Sequence, residues 1–118
     1  MNYVIFGGSR GIGIAVATGL VAEGHQVWSV SRSGDAPTGA KGLVWDALSD
    51  DAIEGLPSEI HGVVYAPGSI NLKPFRGLKL EEFRQDYELN ALGAVKALQS
   101  CLAGMKAAGS ASVVLLST

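Results

Sequence analysis

Phe6-Gly7-Gly8-Ser9-Arg10-Gly11-Ile12-Gly13 is the stretch whose reading decides the fold. It follows a short apolar run, Tyr3 to Phe6, and opens an amphipathic stretch from Ile12 to Ala22. A strand, a glycine-rich turn and a helix in that order form a phosphate cradle. Gly7 permits the tight turn, Gly11 lets a pyrophosphate approach bare backbone, and Gly13 lets the helix pack close on the strand. The helix N-terminus favours the anion. Ser9, Arg10 and Ile12 complete the cradle. The spacing is G-x-x-x-G-x-G rather than G-x-G-x-x-G, a cousin of the common dinucleotide fingerprint. A βα turn without a ligand carries the same glycines, so the reading depends on what surrounds them.

Outward from the turn, strand and helix alternate. Residues 2–6 form a buried strand, and 12–23 a helix with Ile12, Val16, Ala17, Leu20 and Val21 on one stripe, capped by Gly24. Strands follow at 26–31 and 43–45, and 49–55 suits a short helix with an acidic first turn. A fourth strand spans 61–66. The longest helix runs over 80–108, with Leu80, Phe83, Tyr87, Ala91, Ala94, Leu98, Cys101 and Met105 at spacings of three and four. A fifth strand spans 112–116. This pattern predicts one α/β domain over 1–118: a doubly wound, Rossmann-like parallel sheet in three α/β/α layers. Right-handed crossovers favour strand order 3-2-1-4-5, with the ligand crevice between strands 1 and 4.

Composition narrows the function classes. The 118 residues are 47% apolar and 17% charged, with a net charge of −2. That balance argues against a nucleic-acid surface, which needs a basic excess. No apolar run approaches membrane-spanning length and no signal peptide is visible, so a cytoplasmic protein is expected. The single cysteine, Cys101, fits a reducing compartment and reads as a small core residue. His25 and His61 have no ligand-spaced partners, so no metal site is expected.

The residue ending strand 2 selects among nucleotides. A carboxylate there accepts from the ribose 2′-hydroxyl of NAD. Here the segment is Ser31-Arg32-Ser33, and Arg10 projects toward the same corner. Two guanidinium groups suit a 2′-phosphate, so NADP(H) is preferred over NAD(H).

With these residues in place, the chain resembles the N-terminal part of a short-chain dehydrogenase/reductase. Ser9-Arg10-Gly11-Ile12-Gly13 after Gly7 is similar to that family's glycine motif, and Asp46-Ala47-Leu48-Ser49-Asp50 to its motif after strand 3. The resemblance implies that Asp46 contacts the adenine amino group. Tyr65-Ala66-Pro67-Gly68 falls where the family has Asn-Asn-Ala-Gly and shares only the glycine; Ala66 and Gly68 are its cofactor-side positions. Asn90 matches the helix asparagine of the catalytic tetrad, and Thr118, after Ser117, falls at the catalytic serine position. The family's Tyr-x-x-x-Lys pair has no counterpart: none of Tyr3, Tyr65 and Tyr87 has a lysine four residues later.

The resemblance thus implies half of a reductase, with Asn90 and Thr118 as active-site remnants and no catalysis by these residues alone. A non-catalytic NADP(H)-binding module and a self-associating structural domain are the alternatives. A homo-oligomer is expected, joined by the long helix with its small residues Ala91, Gly93, Ala94 and Ala97, by the strand-5 edge, or by both.

Overall fold

The computed structural model describes residues 1–9, 11–67 and 75–116. Arg10, Gly68 and Thr118, three of the expected site residues, lie outside them. The elements are β1 (Asn2–Phe6), α1 (Gly11–Ala22), β2 (Gln26–Ser31), β3 (Lys41–Val44), β4 (Gly62–Tyr65), α2 (Leu80–Tyr87), a π-helical turn (Glu88–Leu92), α3 (Gly93–Ala108) and β5 (Ser112–Leu115). All strand pairings are parallel, in the order β3-β2-β1-β4-β5. This is the expected Rossmann-like arrangement.

Alternation along the strands builds two cores. Val4, Phe6, Trp28, Val30, Val63 and Tyr65 face α3, where they bury Ala94, Ala97 and Cys101 together with Trp45, Ala47 and Ile60. Ile5 and Val27 face the other way, onto Ala17 of α1, with Val16, Leu20 and Val21 beside it. Both faces of the central strands are therefore covered, as the near-continuous apolar runs of parallel strands require. No helix among the described residues is long and apolar enough to cross a membrane.

Several expectations are corrected. Residues 49–55 form bends and irregular chain after a turn at 47–48, not a helix. The Asp46 carboxylate accepts from the Leu48 N–H (2.9 Å), Ser49 Oγ from the Asp51 N–H (2.9 Å), and the Asp51 carbonyl from the Trp45 indole (3.2 Å). Short polar side chains offer the backbone these partners in place of helical ones, and here they win. β3 begins two residues early because Lys41 and Gly42 already pair with Trp28 and Ser29. Ile12 is 64% exposed, since the first turn of α1 rests on the glycine turn beyond the end of β1.

The long helix is divided by the π turn, and the division splits its apolar stripe. Ala94 and Cys101 are buried and Leu98 and Met105 pack against the core, whereas no residue of α2 is buried. Gly93, Ala94 and Ala97 serve the monomer's own core rather than a docking face; only Ala91 of that small set is exposed.

Candidate functional site

Parallel strands bring their C-terminal ends together on one edge. Phe6, the last residue of β1, pairs with Val30 and Tyr65, and Ser31 pairs with Val44 at the end of β3. Gly7, Arg32, Asp46 and Ala66 leave these four strand ends within two residues. In an open α/β sheet this edge, where the strand order reverses between β1 and β4, is the ligand crevice.

The glycine turn is packed from below and open above. Gly7 has φ 81°, and its N–H donates to the Val30 carbonyl (2.8 Å). A Cβ on Gly7 would lie 2.6 Å from the Pro67 nitrogen, one on Gly8 would collide with Ser29 Oγ, and one on Gly13 with the Gly7 carbonyl. Gly11, with φ 61°, is exposed, and a Cβ there would meet nothing within 4 Å. Three glycines thus let the turn fold onto its floor, and the fourth leaves backbone bare toward solvent. α1 has no acidic residue in its first turn to offset its positive end. Bare amides and an uncompensated helix N-terminus fit a pyrophosphate.

The end of β2 is shaped by its serines. Ser31 Oγ accepts from the Gly34 N–H (3.0 Å) and Ser33 Oγ from the Asp35 N–H (3.2 Å). This turn holds Arg32 out, exposed and without an ion pair among the described residues. Asp46 is exposed, and its Oδ1 and main-chain oxygen are engaged by Leu48 and Ser49. It ends the strand and builds a turn, keeping one carboxylate oxygen for another partner.

Asn90 lies in the π turn, one residue after Leu89, whose carbonyl accepts from the Tyr65 hydroxyl (2.6 Å) at the end of β4. That bond ties the Asn90 turn to the same edge of the sheet as the glycine turn. The sequence reading missed three contributors. Pro67 underlies Gly7, Ser29 underlies Gly8, and Tyr65 anchors the helix. Ser29 carried a visible signal, a small polar residue within the apolar run of β2; it is fully buried and its Oγ has no partner among the described residues. Tyr65 carried only its place in Tyr65-Ala66-Pro67-Gly68, where it breaks the motif. His61 Nδ1 accepts from the Asn2 N–H (3.0 Å), and no group of three metal-ligating side chains forms among the described residues.

No family model matches the sequence. The chain is 30% identical over 112 residues to the 3-oxoacyl-acyl-carrier-protein reductase MabA of Mycobacterium avium, covering 89% of this chain and 44% of the relative. It is 32% identical over 120 residues to an NADPH-dependent 3-dehydrocapnine reductase of Ornithobacterium rhinotracheale, covering 86% of this chain and 42% of that one. Among solved structures it superposes on the TT0495 protein of Thermus thermophilus with a TM-score of 0.77 at 31% identity, over 95% of this chain and 53% of the other. The 118 residues therefore span less than half the length of these two reductases.

Proposed function

We propose that this chain, which belongs to the short-chain dehydrogenase/reductase family, holds NADP(H) in preference to NAD(H) along the C-terminal edge of its sheet. Gly7, Ser9, Gly11, Ile12 and Gly13 cradle the pyrophosphate, Arg32 and Arg10 take the 2′-phosphate, and Asp46 takes the adenine amino group. Ala66 and Gly68 line the nicotinamide side. The observation that carries the reading is the pairing of an open glycine turn with an exposed Arg32, free of any ion pair among the described residues, at the end of the neighbouring strand on the same edge. A relative of 32% identity is NADPH-dependent, which supports the same nucleotide.

Bound NADPH supplies a hydride for a carbonyl carbon. The residues in hand bind and orient. General acid catalysis needs a donor tuned near working pH, and no Tyr-x-x-x-Lys pair stands among the 118 residues. Asn90 and Thr118 are accordingly site residues without the proton donor, and these residues alone bind nucleotide without turning it over. The work belongs in the cytoplasm, where NADP(H) is available and the lone thiol stays reduced.

Replacing Arg32 tests the assignment. Arg32→Ala removes a charge-assisted bond of roughly 1.5–3 kcal/mol, a loss of about 10- to 100-fold for 2′-phosphate ligands. NAD(H) affinity stays unchanged. Equal losses for both nucleotides overturn the 2′-phosphate role.

Self-association is a second proposal, carried by a different observation. Leu80, Tyr87, Val95 and Leu102 are 71%, 61%, 49% and 47% exposed. They recur every seven or eight residues, the extra one falling across the π turn. This helical seam is the apolar surface through which two copies would join, and the exposed edge strand β5 offers a second one.

A further inference from the structure

The cradle leaves unexplained a buried tyrosine at the end of β4. Tyr65 is 2% exposed, with its ring against Phe6 at 6.0 Å between centroids. Its hydroxyl donates to the carbonyl of Leu89, inside the π turn. In an α-helix that carbonyl would receive the N–H of Gly93, four residues on. Here the Gly93 N–H donates to the Glu88 carbonyl, five residues back. The acceptor released by the wider turn is the one the phenol takes, so the turn and the phenol stabilise each other. A partly buried carbonyl left without a partner would be costly. Gly93 is the complement, because a Cβ there would collide with the Tyr65 hydroxyl.

The same tyrosine is covalently joined to the cradle. Ala66 and Pro67 follow it directly and pack beneath Gly7. Asn90 follows Leu89. Tyr65 therefore spans the gap between the floor of the glycine turn and the helical turn that carries Asn90.

We propose that Tyr65 is a positioning residue for Asn90: by holding the Leu89 carbonyl, its hydroxyl fixes the π register in which Asn90 is set beside the nucleotide crevice. This rests on the reading of Asn90 as a site residue. Without the hydroxyl, the Gly93 N–H is free to return to Leu89. Recovering the α register turns the preceding segment by about 100° relative to α3, the rotation of one helical residue. Asn90 sits in the part that moves.

The test uses the full chain, labelled for NMR, with Tyr65→Phe and Gly93→Ala singly and together. Tyr65→Phe keeps the ring and removes only the hydroxyl. It is expected to speed exchange of the Gly93 amide about two- to tenfold. It should also move the Leu89 carbonyl and Asn90 side-chain amide resonances, while Ile5, Ala17 and Val27 on the far side of the sheet stay in place. Gly93→Ala retains the hydroxyl but displaces it, and should shift the Asn90 signal likewise. The double variant then adds nothing further, as expected for residues acting on one bond. A folded Tyr65→Phe protein with unmoved Asn90 resonances overturns the proposal, as do additive effects. Titration with NADP+ is read separately. A wild-type Asn90 signal that ignores saturating NADP+ refutes the site reading, while the variants still decide whether Tyr65 sets the turn.

Discussion

Gly13 and Gly19 lie six residues apart on α1, and alanine should act on them in opposite directions. At Gly19 an added Cβ meets nothing within 4 Å and the position is exposed. Gly19→Ala should therefore stabilise by about 0.5–1 kcal/mol, through the lower backbone entropy of the unfolded chain. Gly13 is buried, and its Cβ would collide with the Gly7 carbonyl oxygen, 2.7 Å from the carbonyl carbon and 3.1 Å from Gly8 Cα. All of these are backbone atoms, which cannot rotate away. Overpacking of this kind costs roughly 1–3 kcal/mol, against a helix-propensity gain of about 1 kcal/mol. Displacement of the whole turn places Gly13→Ala at the upper end of that cost, so a net loss of about 1–2 kcal/mol is expected. The two variants should then differ by about 1.5–3 kcal/mol in urea unfolding at equal m. Nucleotide supplies the second readout. At one hundred times its Kd, a ligand stabilises the folded chain by about 2.7 kcal/mol. NADP+ should protect wild type and Gly19→Ala and lose its effect on Gly13→Ala. A Gly13→Ala chain as stable as Gly19→Ala, and equally protected by NADP+, would refute the packing argument.

Three further outcomes follow. Burial pushes the Cys101 thiol from 9.0 and the Tyr65 phenol from 10.0, each up to about 12. Both stay protonated in the folded chain where the unfolded chain has lost its proton, so stability is full below about pH 9 and falls from there toward pH 12; urea titrations should show up to about 1.4 kcal/mol per pH unit from each group in its window, with the first step absent in Cys101→Ala. Ser29→Ala removes a buried hydroxyl that has no partner among the described residues and should leave stability equal or raise it by up to about 1 kcal/mol, read by urea midpoint. Tyr87→Glu places a charge in the exposed helical seam and should halve the light-scattering mass of a dimer at micromolar concentration; a wild-type mass of one chain would remove the self-association proposal.

The sheet was legible because its signals are local and repeated. β1, β2 and β4 are short apolar runs bounded by glycine or proline, and Gly7 through Gly13 marks a tight turn from a strand into a helix. Strand order then follows from handedness alone. Residues 49–55 were misread because acidic and serine residues suit both a helix start and a chain of side-chain turns, and only the position of Trp45 and Asp51 in three dimensions selects the turns. The long helix reads as uniform because a π turn inserts one residue without a break in the helical pattern, and Gly93 at its end looks like one more small packing residue. Its cause lies in Tyr65, 24 residues before Leu89, and such a partner has no local signature. The small residues at 93, 94 and 97 were ambiguous for a similar reason. A face that permits close packing looks the same whether it meets its own sheet or a second copy, and here it meets the sheet.

Calorimetric titration of the purified chain with NADP+ beside NAD+ addresses the nucleotide cradle most directly. Saturable binding at one site per chain, with NADP+ favoured by about tenfold or more, is the result the account predicts. Heat of dilution alone for both nucleotides would contradict it, and binding of NAD+ at least as tight as NADP+ would contradict the role given to Arg32.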